Sequence, residues 1–96
     1  LLNQHFRLIK SLCISHGGLS ETAVDVRIML KEALLSNATV LALAHNHPSN
    51  HAQPSSADNQ LTRRVQAACE TMRIYFLDYV IITDGQYFSY REEGKL

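Results

Sequence analysis

From Asp25 onward, apolar residues return at three- and four-residue steps, at Val26, Met29, Leu30, Ala33 and Leu34, the stripe of a helix that buries one face. The stripe runs to about Ser36, and Asn37, a residue that tolerates the left-handed conformation, is the expected stop. Thr39 to Ala44 (Thr-Val-Leu-Ala-Leu-Ala) is then a nearly continuous apolar run, which predicts a short strand buried on both faces at the centre of a sheet. A polar loop follows from Asn46 to Pro54. Ser55-Ser56-Ala57-Asp58 next has the S-x-x-D form of a helix start, a capping box with Asp in place of the usual Glu or Gln. Leu61, Val65, Ala68, Cys69 and Met72 carry that helix on for about five turns.

The two ends read as strands. Ile74 to Thr83 is rich in aromatic and β-branched residues, Asp84-Gly85 is a hairpin turn signal, and Tyr87 to Tyr90 pairs back as a short final strand. At the other end, Leu1-Leu2 reads as the tail of one strand, Asn3 to His5 as a turn and Phe6 to Ser15 as a second strand, closed by Gly17-Gly18. The chain opens without a methionine, as a fragment cut inside a strand would. The predicted order is β-β-α-β-α-β-β, an α/β fold with a mixed sheet flanked by two main helices.

Composition narrows the class. With 96 residues, 46% of them hydrophobic, residues 1–96 suffice for a single domain with its own core. Nine Lys and Arg balance nine Asp and Glu, so no broad field attracts a phosphate backbone or an anionic membrane. No apolar run approaches the roughly 20 residues of a membrane span, and nothing at the start resembles a signal segment, so a soluble, cytoplasmic protein is expected. Cys13 and Cys69 lack a CxxC partner and read as small reduced core residues. Tyr75, Phe76, Tyr79, Tyr87, Phe88 and Tyr90 lack the interleaved Lys and Arg of a base-stacking platform and read as sheet packing.

The chemistry concentrates in the middle. His45 and His47 stand two apart at the carboxyl end of the apolar strand, so in extended geometry both imidazoles point to one face. Pro48 must leave the sheet there, and the crevice beyond strand ends is where open α/β sheets bind ligands. Asp58, one turn inside the next helix, is placed to add a third ligand and leave one tetrahedral position for water, the open arrangement of a catalytic zinc site. A zinc so held lowers the pKa of its water to about 7 and polarises a substrate carbonyl, as amide hydrolysis requires. Ser55, at the N-cap beside exposed N–H groups, is a candidate for stabilising a developing oxyanion. Residue by residue these features also have bland readings: histidines near a loop are often polar surface, and the capping box alone accounts for Asp58.

The compound spacing says more than its parts. His45-Asn46-His47-Pro48, then Ser55-x-x-Asp58, resembles the JAMM signature, H-x-H-P-x6-S-x-x-D, of MPN/JAB-domain metallohydrolases. The string Ala44 to Ser49, the Pro54-Ser55 pair, Gly17-Gly18, Val24-Asp25-Val26-Arg27, and Leu77-Asp78-Tyr79 before Val80-Ile81-Ile82 resemble the bacterial RadC branch, so the likeness covers nearly the whole chain. It implies a JAB/MPN-like, cytidine-deaminase-like three-layer fold, His45, His47 and Asp58 as zinc ligands, Ser55 as the oxyanion-side serine, and hydrolysis of a peptide or isopeptide bond.

Two departures accompany the resemblance. Family members carry a general-base glutamate on the first strand, and this chain starts after that point; Glu21 and Glu32 match no family position, so a fragment that binds zinc without turning over substrate is one expectation. Asn50 stands where the RadC branch usually has glycine, a replacement that the left-handed conformation tolerates. His51 reads as a solvated loop histidine, and His5 and His16 as turn and strand-end surface. The competing functions are a DNA-repair accessory or metal-dependent nuclease, suggested by the RadC resemblance, and a noncatalytic MPN-type interaction module. Expected partners are a peptide or isopeptide substrate and a second copy through an exposed strand edge; nucleic acid is a candidate that the charge does not favour, and no membrane is expected.

Overall fold

Asp25 opens the first helix in the way a short acceptor side chain does, taking the Arg27 N–H at 2.9 Å, and α1 runs from Val26 to Leu35. Asn37 adopts φ 54°, and the stop expected there is observed. The computed structural model describes residues 1–14, 24–47 and 51–96. The expectations placed on Ser15, His16, Gly17-Gly18, Glu21 and Pro48 to Asn50 lie outside the described residues.

Strand β1 (Val40–Asn46) is followed by helix α2 (Ser56–Met72), strand β2 (Tyr75–Thr83) and strand β3 (Gln86–Ser89). β1 and β2 are parallel neighbours, so the chain must cross over between them, and α2 is that crossover. β2 and β3 are antiparallel, joined by the expected Asp84-Gly85 turn with Gly85 at φ 88°. The described residues thus form an α/β fold of two helices and a three-stranded mixed sheet in the order β1-β2-β3.

Two expectations are corrected here. β2 is the central strand of the described sheet, and β1 lies at its edge with Ala42, Ala44 and Asn46 exposed rather than buried on both faces. The apolar run misled because two of its members are alanines, whose small side chains lose little by meeting water. The predicted N-terminal strands are likewise reduced to isolated bridges, Leu2 to Leu8 and Leu2 to Val40. The turn itself forms, with Asn3 Oδ1 accepting the His5 and Arg7 N–H groups at 2.8 and 3.1 Å. Phe6 at φ 60° then departs from extended backbone, and Leu8, Ile9 and Leu12 stay exposed, so the β-rich composition finds no continuous ladder.

The core sits between α2 and the sheet. Leu61, Val65 and Cys69, spaced by one helical turn, are buried with Phe76, Tyr79 and Ile81 of β2, and Met29 and Ala33 of α1 join the same cluster. Each fully buried aliphatic side chain of this kind stabilises the fold by about 1.5–3 kcal/mol. Cys69 is a core residue as expected, whereas Cys13 is exposed. Of the six aromatic residues named above, Phe76, Tyr79 and Tyr90 are buried, Phe88 is half-buried against the same core, and Tyr75 and Tyr87 are exposed, so packing accounts for four of them. Among the described residues no helix is long and apolar enough to cross a membrane.

One irregularity sets which side chains of β2 face the core. Leu41 pairs with Phe76 but Ala42 pairs with Asp78, so Leu77 is an extra residue, a β-bulge. Phe76 lies inward ahead of it and Tyr79, Ile81 and Thr83 lie inward after it, a change of phase that strict alternation forbids. Arg91 holds the bulge: its Nε donates to the Leu77 carbonyl and its Nη2 to the Phe76 carbonyl at 2.8 Å. Asp78 completes the clamp by accepting the Tyr79 and Arg91 N–H groups at 2.8 and 3.0 Å, together with the Ser89 hydroxyl.

Candidate metal centre

Alternation along β1 places His45 on the same side as Leu41 and Leu43, toward α2, and His47 follows with its N–H still bonded to the Ile82 carbonyl at 3.0 Å. The two imidazoles therefore converge as the spacing predicts, with ring centroids 4.9 Å apart and planes nearly perpendicular. On the helix side, Asp58 shares the buried stripe of Leu61, Val65 and Cys69, so the packing that docks α2 on the sheet also delivers the carboxylate.

His45 Nδ1 lies 3.3 Å from Asp58 Oδ1, and His47 Nε2 lies 3.0 Å from Asp58 Oδ2. One donor atom from each of the three residues can be chosen so that all lie within 4.8 Å of one another. A tetrahedral zinc with bonds of about 2.0–2.2 Å separates its nitrogen and oxygen ligands by roughly 3.3–3.5 Å. The His45–Asp58 and His47–Asp58 spacings, 3.3 and 3.0 Å to different carboxylate oxygens, lie near that separation, and the donor set of two imidazoles and a carboxylate suits zinc or another divalent metal with open positions. His47 Nδ1 also lies 3.4 Å from the His51 carbonyl oxygen, the backbone contact that favours the tautomer with a free Nε2 lone pair. His51 is in the exposed loop, as the sequence suggested.

Asp58 is almost wholly buried, at 1% exposure, and keeps its charge through its neighbours. The Ser55 N–H and hydroxyl donate to Oδ2 at 2.8 and 2.9 Å, and the Tyr79 hydroxyl donates to Oδ1 at 2.8 Å. The Ser55 oxygen in turn accepts the Asp58 N–H at 3.0 Å, so the capping box forms in full. Burial pushes the Asp58 carboxyl up, but the Ser55 N–H, the Tyr79 hydroxyl, the Ser55 hydroxyl and the His47 charge together outweigh it and hold the pKa below the usual carboxylate value. An anionic Asp58 among two imidazoles is the state in which a cation binds.

The structure thus brings together all four residues singled out by spacing: His45, His47, Ser55 and Asp58. Ser55 spends its one hydroxyl proton on Asp58 rather than presenting it to solvent. Glu32 lies in α1, 3.4 Å from Lys10, apart from this group. Sequence reasoning counted Tyr79 among the packing aromatics and in the Leu77-Asp78-Tyr79 string, with no role at the site, whereas its hydroxyl reaches the carboxylate; a tyrosine on a buried strand needs a polar partner for its O–H, which is the signal that pointed there.

The model of the RadC-like JAB domain matches residues 1–95. The chain is 48% identical over 94 residues to a UPF0758 protein of Actinobacillus succinogenes, covering 98% of this chain and 42% of that protein. It is 45% identical over 97 residues to a UPF0758 protein of Porphyromonas gingivalis, covering 100% and 43%, and 41% identical over 92 residues to one of Haemophilus ducreyi, covering 96% and 41%. The chain therefore spans less than half the length of these curated relatives.

Proposed function

The chain belongs to the RadC-like JAB domain family, and from that premise we propose that it is the metal-dependent hydrolase domain of a longer protein, cleaving a peptide or isopeptide amide. The observation that carries the reading is the group His45, His47 and Asp58, whose donor atoms lie within 4.8 Å of one another at the end of a strand. These residues would hold one zinc ion and leave a position open. When bound, such an ion supplies Lewis-acid polarisation of a carbonyl and a nucleophile from water at neutral pH.

The remaining work falls to the chain's own groups. His47 takes its orientation from the His51 carbonyl, and Asp58 takes its own from Ser55. Ser55 acts first by keeping the buried carboxylate charged and in place; a part in stabilising the oxyanion of the amide adduct requires its proton to turn away from Asp58. Neutral net charge continues to disfavour a phosphate-backbone substrate.

The test is elemental analysis after dialysis of the parent chain and of a His45→Ala/His47→Ala variant, followed by an assay on an isopeptide-linked fluorogenic substrate. Stoichiometric zinc in the parent alone, with zinc-dependent cleavage, supports the proposal. Absence of metal from both chains overturns it, and cleavage that survives the double substitution overturns the assignment of the site.

A further inference from the structure

Tyr79 is a side chain of the central strand β2 that reaches the Asp58 carboxylate. Its hydroxyl donates to Asp58 Oδ1 at 2.8 Å and lies 3.3 Å from His45 Nδ1, so it stands between two of the three candidate ligands. Its ring is 2% exposed and stacks on Tyr90, with centroids 5.4 Å apart and planes 26° apart. The ring is thus fixed from the sheet while its hydroxyl is aimed at the first turn of the helix.

That aim depends on the bulge. Had β2 continued the alternation that places Phe76 in the core, residue 79 would point to the opposite face. The extra residue Leu77 turns it inward, and the Arg91 guanidinium, with Asp78, satisfies the carbonyls and N–H groups that the bulge disturbs. Bulges of this kind re-aim side chains beside functional sites. From the helix side Asp58 is held by Ser55 at Oδ2; among the described residues of the sheet, Tyr79 and His45 are the ones that meet Oδ1.

We propose that Tyr79 is a positioning residue for the metal site: its hydroxyl, aimed by the Arg91-clamped bulge, fixes the rotation of the Asp58 carboxylate so that Oδ1 faces His45 and Oδ2 faces His47. The proposal rests on the metal reading of His45, His47 and Asp58. A group that holds a ligand in its binding orientation lowers the reorganisation needed when the metal arrives, and loss of such outer contacts costs about 10–100-fold in metal affinity.

The experiment measures zinc affinity by competition with a chromophoric chelator for the parent, Tyr79→Phe and Tyr90→Phe, with the metal-free melting temperature of each. Tyr79→Phe keeps the stacked ring and removes only the hydroxyl; Tyr90→Phe removes a neighbouring hydroxyl that does not touch Asp58. The expected result is a zinc affinity about 10–100-fold weaker for Tyr79→Phe and unchanged for Tyr90→Phe. Equal affinity of Tyr79→Phe and parent overturns the proposal while leaving the metal site standing, and so does an equal loss in both variants, which would mark general packing. A parent that binds no zinc removes the metal reading and this proposal with it.

Discussion

Replacing Ser55 by alanine separates two roles that one hydroxyl plays. As N-cap, its oxygen accepts the Asp58 N–H at 3.0 Å, and loss of a cap costs about 1 kcal/mol. As donor, it gives its proton to Asp58 Oδ2 at 2.9 Å, and a hydrogen bond to a charged, buried group contributes about 1.5–3 kcal/mol. The Ser55 N–H, which also donates to Oδ2 at 2.8 Å, survives the substitution and limits the damage. The expected net loss is therefore about 2–3 kcal/mol at neutral pH, beyond the roughly 0.5–2 kcal/mol of a cap substitution alone. For a domain of this size that lowers the melting temperature by roughly 10–20 °C. Thermal or urea unfolding followed by circular dichroism reads the effect, with Ser56→Ala at the adjacent exposed position as control, expected within about 0.5 kcal/mol of the parent. In acid, where Asp58 is protonated, only the cap contribution should remain. A neutral-pH loss below about 0.5 kcal/mol would refute the reasoning, because the hydroxyl would then be engaged with neither partner.

The other predictions concern charge, metal, backbone and thiols. The Asp58 pKa is lower in the folded chain than in the unfolded one, so the native state binds fewer protons; its stabilisation is fully present above the ordinary carboxylate pKa and is lost as pH falls through the depressed folded value. Asp58→Asn should flatten the acid limb of a stability–pH profile, and an unchanged limb would assign it to other groups. Zinc at a hundredfold excess over its dissociation constant should stabilise the metal-free chain by about 2.7 kcal/mol, reversibly with a chelator, and His45→Ala should abolish the shift. Arg73 ends α2 in the left-handed conformation at φ 57°, so Arg73→Gly should raise stability by up to about 1 kcal/mol in urea unfolding; a loss would show that its side chain matters more than its backbone strain. A thiol reagent should label exposed Cys13 in the native chain and leave Cys69 unmodified until unfolding, since burial raises the Cys69 thiol pKa as well as hiding it.

Family membership and the local chemistry of the site came from the same stretch of chain, and both were legible for one reason. The capping box, the stripe of α2 and the two histidines at alternate positions, one in the last residues of β1 and one just past its end, are set by neighbours within four residues, where period and hydrogen-bond reach are known in advance. The Asp-Gly hairpin and the Asn37 stop are local in the same sense.

By itself, then, the sequence determined the two helices, the strands β1 to β3, and the candidate ligand trio with its serine. Tertiary structure alone decided that, among the described residues, β2 is the central strand of the sheet and β1 its outer one, that the N-terminal segment meets β1 at the Leu2–Val40 bridge rather than as a strand, and that Cys13 faces water. It alone decided that Leu77 bulges under the grip of Arg91 and so turns Tyr79 onto Asp58, 21 residues away. Strand order and register depend on which distant surfaces meet, and a shift of one residue reverses every side chain beyond it; no periodicity within a strand records where that shift will fall.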